Sequence, residues 1–460
     1  MKVLLVTIPA SPQSMSIDST MGALEPLALE YIGAGIGEVH DVELIDLRLE
    51  TEPGLKQTLE SFQPDIIGCG GCTIDVYQAK QICAEAKQLL PGILTVVGGH
   101  HATIMPADFF DETIDVIIAG EGVEPFKKIC ACHETARDFE DIENIYYRKD
   151  GKMVFTRKKE HPPLDALPFP DRTLTSHLRE NYSVTFVSGL TSFACIRGSL
   201  GCIYRCKFCA VTSMLNRKVY RHSIDRIMAE LESINESYVL WVDDEFLLDP
   251  QRAIQLAKEI QESGIRKHHD IYARADHIAR NPECVEELAK AGLQSIFIGL
   301  EAHRDNRLRE MRKGISTSKN EEAIRICHAN NVQVRGNFII SPDFDKEDFR
   351  SMAQYARDLV IDLPSYSIMT PLPGTQLYEE LKDQLITRNY NLFDATHAVL
   401  PTRLPLKEFY QEFGRITAES ISFERKMDVL KQMDPRLRQK VLRTLEDYFR
   451  RMQNAHLDYQ

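Results

Sequence analysis

Short segments that are apolar nearly throughout alternate with segments of helical apolar spacing in the first 130 residues of this 460-residue chain. The predicted strands are KVLLVTIP (2–9), VELID (42–46), DIIGCGG (65–71), ILTVVGG (93–99) and DVIIAG (115–120). Strands without a polar face, separated by helices, indicate a parallel sheet covered on both sides. The sequence therefore predicts a five-stranded, doubly wound α/β domain with ligands beyond the carboxyl ends of its strands.

A second α/β series begins after the proline-rich segment HPPLDALPFPDR (161–172). Its predicted strands are SFACIRGS (192–199), YVLWVDDEF (238–246), DIYARAD (270–276), SIFIGLEA (295–302), VQVRGNFIIS (332–341) and YSIMTPL (366–372). Six βα units predict a partial (β/α)6 barrel with its chemistry at the carboxyl ends of the strands. The predicted domains are residues 1–135, a linker at 136–188, the barrel at 189–380 and a helical region at 381–460.

Composition narrows the class of protein. The formal net charge of −13 argues against non-specific binding to nucleic acid. No apolar run approaches the roughly 18 residues that span a bilayer. Eleven cysteines scattered along the chain do not form a disulfide scaffold and indicate intracellular thiols that are available for metal. The sequence predicts a cytoplasmic multidomain protein.

Three cysteines, Cys202, Cys206 and Cys209, lie within GCIYRCKFCA (201–210), just past the first predicted barrel strand. A structural zinc site uses four closed ligands. A closed cubane iron–sulfur carrier likewise needs four thiolates. Three thiolates leave one iron open, and that iron can chelate a small molecule through amino and carboxylate groups.

The Cys-x3-Cys-x2-Cys spacing, with an aromatic residue before the last cysteine, resembles the radical SAM superfamily, as do VDDEF (242–246), GLE (299–301) and PLPGT (371–375). The resemblance implies a [4Fe-4S] cluster on the three cysteines and an electron donor of the flavodoxin or ferredoxin type. It implies that S-adenosylmethionine (SAM) is cleaved to a 5′-deoxyadenosyl radical. The implied SAM-binding residues are Phe208, Asp243, Asp244, Glu245 and Glu301. One departure is Ile203, where relatives often carry proline.

Each of these polar residues also has a structural interpretation. Asp243 and Asp244 could cap the following helix, and Glu301 could pair with Arg304. Arg274 and His277, in YARADHIAR (272–280), are predicted to face the active site and are the candidate catalytic residues. Arg274 could instead only balance the carboxylates.

The stretches VVGGHHATIMP (96–106) and AGEGVEPF (119–126) resemble the flavodoxin-like domain of the cobalamin-binding branch of radical SAM enzymes. Glycine at such turns lets the backbone approach the corrin. The implied cobalamin-binding residues are Cys72, Thr73, Gly98, Gly99, His100, Thr103, Gly120, Glu121 and Gly122. His100 and His101 are expected to line the corrin pocket or cap a helix, in preference to binding a metal.

The loop after the first strand, PASPQSMSIDSTMGALEP (9–26), contains no histidine, and the first histidine of the chain is His40. Many cobalamin domains carry Asp-x-His-x-x-Gly there, with the histidine below cobalt. Two explanations stay open: cobalamin bound without a protein histidine, or a domain that has lost cobalamin.

The resemblance favours an enzyme that methylates an unactivated carbon of a small-molecule substrate via methylcobalamin. The alternative is cyclisation, rearrangement, dehydration or oxidation of a substrate radical, with or without cobalamin. A non-catalytic corrinoid or iron–sulfur carrier is disfavoured because a carrier gains from a closed cluster. Tyr366, Met369 and Asn337 are predicted to point into the barrel.

Overall fold

A computed structural model describes residues 1–15, 23–49, 52–184, 191–420 and 435–459. The chain divides into two compact units. The sheet unit contains Met1–Ser14, Glu25–Asn181 and Asn389–Asp394. The barrel unit contains Met15–Leu24, Tyr182–Arg388 and Ala395–Gln460. Within the described ranges, no helix has the length and apolar character needed to cross a bilayer.

The sheet unit is built on seven strands among its described residues, in the order β2-β1-β3-β4-β5-β6-β7. They are Lys2–Thr7 (β1), Asp41–Asp46 (β2), Ile66–Gly70 (β3), Leu94–Gly98 (β4), Val116–Ile118 (β5), Ile145–Lys149 (β6) and Lys152–Phe155 (β7). The first five are parallel in the flavodoxin-like order, which confirms the predicted doubly wound sheet. The last two are antiparallel and come from residues 136–188, the range expected to be a linker.

Helices cover both faces of this sheet, which is why its strands are apolar nearly throughout. The α-helices are Leu27–Ile36 (α1), Leu55–Phe62 (α2), Val76–Leu89 (α3), His100–Ile104 (α4) and Val123–Glu134 (α5). Along β1, Leu4 and Val6 pack into one buried cluster, while Val3 and Leu5 pack into the other. Because successive side chains of a strand point to opposite faces, two cores require apolar residues at both parities.

The barrel unit holds six parallel strands in sequential order and one antiparallel edge strand. The edge strand is Ser183–Val184 (β8), and the barrel strands are Thr191–Ile196 (β9), Tyr238–Trp241 (β12), His268–Ala273 (β13), Leu293–Glu301 (β14), Gln333–Ile340 (β15) and Leu363–Ile368 (β16). A short hairpin, Ser199–Leu200 (β10) and Tyr220–Arg221 (β11), lies between β9 and β12 in sequence. This arrangement confirms the predicted partial barrel.

Helices follow each barrel strand and continue into the tail. They are Ala210–Leu215 (α6), Ile224–Ser233 (α7), Pro250–Ser263 (α8), Ala275–Arg280 (α9), Pro282–Lys290 (α10), Asp305–Glu310 (α11), Thr317–Ala329 (α12), Lys346–Asp358 (α13), Gln376–Leu381 (α14), Leu406–Glu419 (α15) and Pro435–Asn454 (α16). The last two confirm a helical tail. The part of the predicted tail helix at 423–434 lies outside the described residues.

The two faces of the barrel sheet differ in polarity. One face packs on the helices through Ile271, Ile298 and other buried apolar residues. The opposite face carries a hydrogen-bonded pair, with the Ser365 hydroxyl donating to Asn337 Oδ1 at 3.1 Å. Tyr366 was predicted to share that polar face with Asn337, and this is wrong. Its ring stacks on Phe338 in the core that packs on the helices.

A buried pair of carboxyl groups stands at the start of α1 in the sheet unit. Glu25 accepts hydrogen bonds from Arg172 Nε at 3.0 Å and from Arg179 Nη1. Glu30 is fully buried and accepts one from the Thr175 hydroxyl. Burial, and then the negative charge of Glu25, raise the pKa of Glu30 from 4.5 to about 9. Glu30 is therefore neutral in the folded protein at neutral pH.

Because the folded-state pKa of Glu30 is raised, its contribution to stability is complete below about pH 4.5 and is lost as pH rises to about 9. We expect Glu30→Gln, which keeps a neutral acceptor, to stay close to the native protein near pH 5 and to exceed its free energy of unfolding by up to about 6 kcal/mol near pH 9, since each unit of pKa shift corresponds to about 1.4 kcal/mol. Urea unfolding at both pH values measures this. Glu25→Gln serves as the contrast, because it should destabilise at both pH values; equal pH slopes for Glu30→Gln and the native protein would contradict the assignment.

Candidate active site

The three cysteines of the 201–210 stretch lie on one loop beyond the carboxyl end of β9 in the barrel unit. Cys202, Cys206 and Cys209 are half-buried. The other described cysteines of this unit, Cys195, Cys284 and Cys327, are buried in the fold. The loop is therefore where this unit presents thiols that a ligand can reach. Phe208 is half-buried on the same loop.

Backbone contacts with two other segments of the barrel unit fix the loop. The amide of Lys207 donates to the Met311 carbonyl at 3.2 Å. The carbonyl of Lys207 accepts from the Leu377 amide at 3.0 Å. A local turn, with the Cys209 amide donating to the Cys206 carbonyl at 3.2 Å, sets the spacing of the last two cysteines. The cysteine loop is thus ordered by the protein itself.

Gly201 begins this loop with a φ of +106°, a left-handed conformation that glycine adopts freely. A Cβ at this position would lie 2.1 Å from the Lys218 carbonyl oxygen, so no other residue fits. The amide of Gly201 donates to Asp244 Oδ2 at 2.7 Å. Asp244 thereby anchors the loop that carries the cysteines.

Arg274 binds the cysteine loop from the end of β13. Its guanidinium carbon lies 3.5 Å from the centre of the Tyr204 ring, a cation–π contact. Its Nη1 lies 3.8 Å from the Cys206 sulfur, and its Nη2 donates to the Lys313 carbonyl at 2.6 Å. Nε donates to Asp276 at 2.9 Å. All three guanidinium nitrogens therefore contact protein groups, one of them the sulfur of a cysteine that would hold a cluster.

The chemistry of the site fits a cubane cluster. Burial raises the pKa of the Cys202 thiol to about 11 and also raises the pKa of Cys209, so these thiols are protonated until a metal binds. Across the described ranges, no three His, Cys, Asp or Glu side chains are arranged around a single metal ion. A cubane differs from such a site because each thiolate binds a different iron. Cys202, Cys206 and Cys209 are the residues that would hold it.

The carboxylates of VDDEF hold neighbouring loops and do not cap a helix. Asp243 is buried and accepts from the Gly198 amide at 2.8 Å and from the Ser199 hydroxyl. Burial raises the pKa of Asp243 to about 6. The cap of α8 is instead Asp249, whose side chain accepts from the Arg252 amide. The capping interpretation of Asp243 and Asp244 is therefore wrong.

Glu245 and His277 form a buried polar cluster at the ends of β12 and β13. Glu245 Oε2 accepts from the Arg274 amide at 2.7 Å, and its Oε1 lies 3.2 Å from His277 Nδ1. His277 also contacts the Leu247 carbonyl through Nδ1, and the Tyr204 hydroxyl through Nε2. Burial lowers the pKa of His277, but the hydrogen bond and charge of Glu245 raise it by more. Nε2 thus contacts the cysteine loop, while Nδ1 contacts the segment that follows β12.

Glu301 ends β14 in a conformation that few residues adopt, with a φ of +61° beside a register shift. Lys313 Nζ binds its Oε1 at 2.6 Å, and both side chains are buried. Arg304, which was expected as a partner of Glu301, instead pairs with Asp348 at 2.6 Å. Sequence reasoning missed Lys313, because a lysine in an exposed-looking turn (MRKG, 311–314) gives no signal of burial.

The carboxyl ends of β3, β4 and β5 form the ligand edge of the sheet unit. Gly99 has a φ of +93°, and a Cβ there would lie 2.6 Å from the Gly71 amide nitrogen, so the glycine lets two loops approach each other. Gly120 has a φ of +124° with open space where a Cβ would be. Of these two glycines, Gly120 is therefore the one that leaves room for a ligand to reach the backbone.

The other predicted cobalamin residues lie at the same edge. The Thr103 hydroxyl donates to the Gly99 carbonyl at 2.8 Å and accepts from the Gly120 amide at 3.0 Å. Glu121 accepts from the Val123 amide at 2.7 Å at the start of α5, after Gly122. The sulfur of exposed Cys72 lies 3.6 Å from His100 Nδ1. Gly98 lies at the end of β4, and Thr73 follows β3.

The fit of this edge to a corrin rests on its open backbone and exposed side chains. The exposed Cys72 and His100 and the open Gly120 would contact such a group. In the described part of the chain, no atom lies within 4 Å of where a Cβ of Gly120 would be. Residues 16–22 of the loop expected to lack a lower ligand lie outside the described residues. His101, expected to line the corrin pocket or cap a helix, is instead buried behind Thr73. Sequence reasoning missed its partners Asp108 and Tyr390, which are half-buried.

Comparison with known proteins identifies the family. Residues 196–356 match the model of the radical SAM superfamily, and residues 16–129 match that of the B12 binding domain. The chain is 32% identical over 398 residues to the hopanoid C-3 methylase of Methylococcus capsulatus, which covers 85% of this chain and 75% of that enzyme. The chain belongs to the cobalamin-dependent radical SAM family.

Further relatives share the same domain order. An uncharacterized methyltransferase of Pyrococcus horikoshii is 27% identical over 429 residues, covering 90% of this chain and 89% of that protein. The structure of the cobalamin-dependent SAM radical enzyme OxsB with aqua-cobalamin and SAM bound has the same fold, with a TM-score of 0.72 at 17% identity, covering 98% of this chain and 72% of OxsB. A [4Fe-4S] cluster, SAM and cobalamin are the cofactors typical of the family, and this protein is a radical SAM enzyme.

Proposed function

We propose that this radical SAM enzyme transfers a methyl group to an unactivated carbon of a small molecule. One observation carries the proposal: the ionisable side chains at the carboxyl ends of the barrel strands are engaged with protein groups. Glu245, His277 and Arg274 hold one another and the cysteine loop. Glu301 binds Lys313. A site so arranged is built to hold cofactors, and hydrogen abstraction by a radical requires no general base.

The protein would then bind and orient the cofactors and the substrate, and exclude water from them. When bound, the cluster supplies the electron that cleaves SAM, and cobalamin carries the methyl group to be transferred. Cys202, Cys206 and Cys209 would hold the cluster and leave one iron open for SAM. Arg274, beside Cys206, adds positive charge where a cluster would bring negative charge. The glycine turns after β4 and β5 would admit the corrin.

The polar face of the barrel sheet supports a substrate with an apolar body and at least one polar group. The rings of Tyr272 and Phe297 lie 5.2 Å apart at neighbouring positions, with the Arg335 guanidinium over Phe297 at 5.4 Å. Arg335 pairs with Asp270 on the same face. The similarity to a hopanoid C-3 methylase points to a fused-ring lipid as the first compound to assay.

The test uses enzyme reconstituted anaerobically with iron, sulfide and hydroxocobalamin. It is assayed with a hopanoid, SAM whose methyl group carries deuterium, and a low-potential reductant of the flavodoxin or ferredoxin type that reduces both the cluster and the cobalamin. We expect the product to retain the full label, with one 5′-deoxyadenosine and one S-adenosylhomocysteine formed per methylated product. Relatives also include anaerobic magnesium-protoporphyrin IX monomethyl ester cyclases. A product formed with 5′-deoxyadenosine but without label would contradict methyl transfer and favour cyclisation, rearrangement, dehydration or oxidation.

A further inference from the structure

The segment Asn389–Asp394 follows the last barrel strand in sequence, yet it belongs to the sheet unit. The chain leaves the barrel unit after Arg388 and re-enters it at Ala395. Six residues distant in sequence from the rest of the sheet unit therefore complete that unit. We call Asn389–Asp394 the returning segment.

Three hydrogen bonds between amide side chains attach the returning segment to the rest of the sheet unit. Asn389 and Asn391 both donate to Gln13 Oε1, at 3.1 and 3.3 Å. Gln78, in α3, donates to Asn391 Oδ1 at 3.0 Å. Since Gln13 follows β1 and Gln78 lies near the start of α3, the segment joins two elements next to the ligand edge of the sheet.

Tyr390 packs in an aromatic cluster with Tyr77 and the buried His101. Its ring stacks on Tyr77 with centres 6.0 Å apart and meets the His101 ring edge-on at 5.1 Å. Its hydroxyl donates to Asp108 Oδ2 at 2.8 Å. The same carboxylate oxygen lies 2.9 Å from His101 Nε2. The hydrogen bond with His101 and that with Tyr390 both help to hold the pKa of Asp108 below its usual value, against the effect of burial.

His101 connects this cluster to the ligand edge. It is 1% exposed, and its Nδ1 lies 3.1 Å from the Thr73 hydroxyl. The Nε2–H tautomer of His101 would donate to the Asp108 carboxylate and accept the proton of the Thr73 hydroxyl at Nδ1. The order of contacts is thus Tyr390, Asp108, His101 and Thr73, and each member fixes the next.

Two members of this network lie at the ligand edge of the sheet, where cobalamin is expected to bind. Thr73 belongs to the turn after β3, and His101 belongs to α4 after β4. The same short helix carries Thr103, which bridges the loops after β4 and β5. A change at His101 therefore affects both the β3 and β4 turns at the sheet's ligand edge.

We propose that Tyr390 is a positioning residue for cobalamin, acting through Asp108 and His101 to hold the turns after β3 and β4 in the conformation that binds the corrin. The returning segment is thus part of the cobalamin site although no residue of it lies near that site in sequence. The inference depends on cobalamin binding, which is typical of the family, and not on the identity of the reaction.

The experiment measures the dissociation constant of hydroxocobalamin by equilibrium dialysis for the native protein and for Tyr390→Phe, which keeps the ring and removes the hydroxyl. We expect Tyr390→Phe to bind cobalamin about 10-fold more weakly, because it removes one hydrogen bond to a carboxylate that orients His101. Tyr366→Phe is the control, because it removes a hydrogen-bonded tyrosine hydroxyl from the barrel unit and leaves the sheet unit unchanged. Its cobalamin affinity should equal that of the native protein.

Two further readouts separate positioning from general damage. Iron bound per chain should be the same in Tyr390→Phe and native protein, and amide hydrogen exchange should rise at 71–75 and 99–104 but not in the barrel strands. Thr73→Val removes the other end of the network, and the double variant should lose less affinity than the product of the single losses. Native affinity in Tyr390→Phe, multiplicative losses in the double variant, or a native protein that binds no cobalamin would each overturn the inference.

Discussion

Cys206→Ser is expected to yield a folded protein that assembles no [4Fe-4S] cluster and forms no 5′-deoxyadenosine from SAM. Serine is a poor ligand for iron, and with only two thiolates left the loop cannot hold a cubane. Iron should fall from about four atoms per chain to fewer than about one after anaerobic reconstitution. Cys206 is the informative choice because its sulfur is the one that Arg274 contacts.

Cys195→Ala provides the control for this prediction. Cys195 lies on β9, seven residues before Cys202, and is 1% exposed. If three thiolates hold the cluster and one iron is open, Cys195→Ala should keep its iron and its SAM cleavage. Iron loss in Cys195→Ala equal to that in Cys206→Ser would contradict the open-iron assignment and indicate a closed, four-cysteine centre.

Lys313→Met is expected to lower the free energy of unfolding of the barrel unit by about 3–5 kcal/mol, because it leaves the Glu301 carboxylate buried without its partner. Lys313 and Glu301 are 7% and 5% exposed, and their charged atoms lie 2.6 Å apart. Burial lowers the pKa of Lys313, and the charge of Glu301 raises it by more, so Lys313 stays charged. The effect should therefore exceed that of breaking an exposed pair.

A double variant separates the loss of stability that comes from the unpaired charge from the loss that comes from packing. Lys313→Met combined with Glu301→Gln removes both charges and keeps both side-chain lengths, and it should recover most of the lost stability. Urea unfolding followed by the fluorescence of Trp241, which lies in the barrel unit, measures both variants. If the double variant is no more stable than Lys313→Met alone, the loss comes from packing and not from an unpaired carboxylate.

The strands and their order could be predicted from the sequence because each carries its own local signal. In the sheet unit, apolar residues at both parities revealed two covered faces, and the five parallel strands agree with the predicted ones to within a few residues. The antiparallel strands β6 and β7, in the range expected to be a linker, were not predicted. The cysteine trio could be predicted for the same reason, since its spacing lies within eight consecutive residues.

The partners of the site residues could not be predicted, because they depend on strand register and loop conformation. Glu301 meets Lys313 only because Glu301 and Arg312 both have a positive φ, which the sequence does not reveal. Tyr366 faces the helices because β16 pairs with β15 in a register that places Tyr366 opposite Phe338. The contact between Tyr390 and Asp108 spans 282 positions and has no local signature.

The returning segment has a consequence for the modularity of this enzyme. A gene fragment that ended anywhere before residue 389 would encode a sheet domain without Tyr390, so Asp108 and Tyr77 would lose a neighbour that the intact chain supplies. Recombination that exchanged front halves between relatives would likewise combine a sheet domain with a returning segment from a different protein. The front domain is therefore structurally complete only with a short stretch of the back half, and a substitution on either side of this contact alters the surroundings of the other.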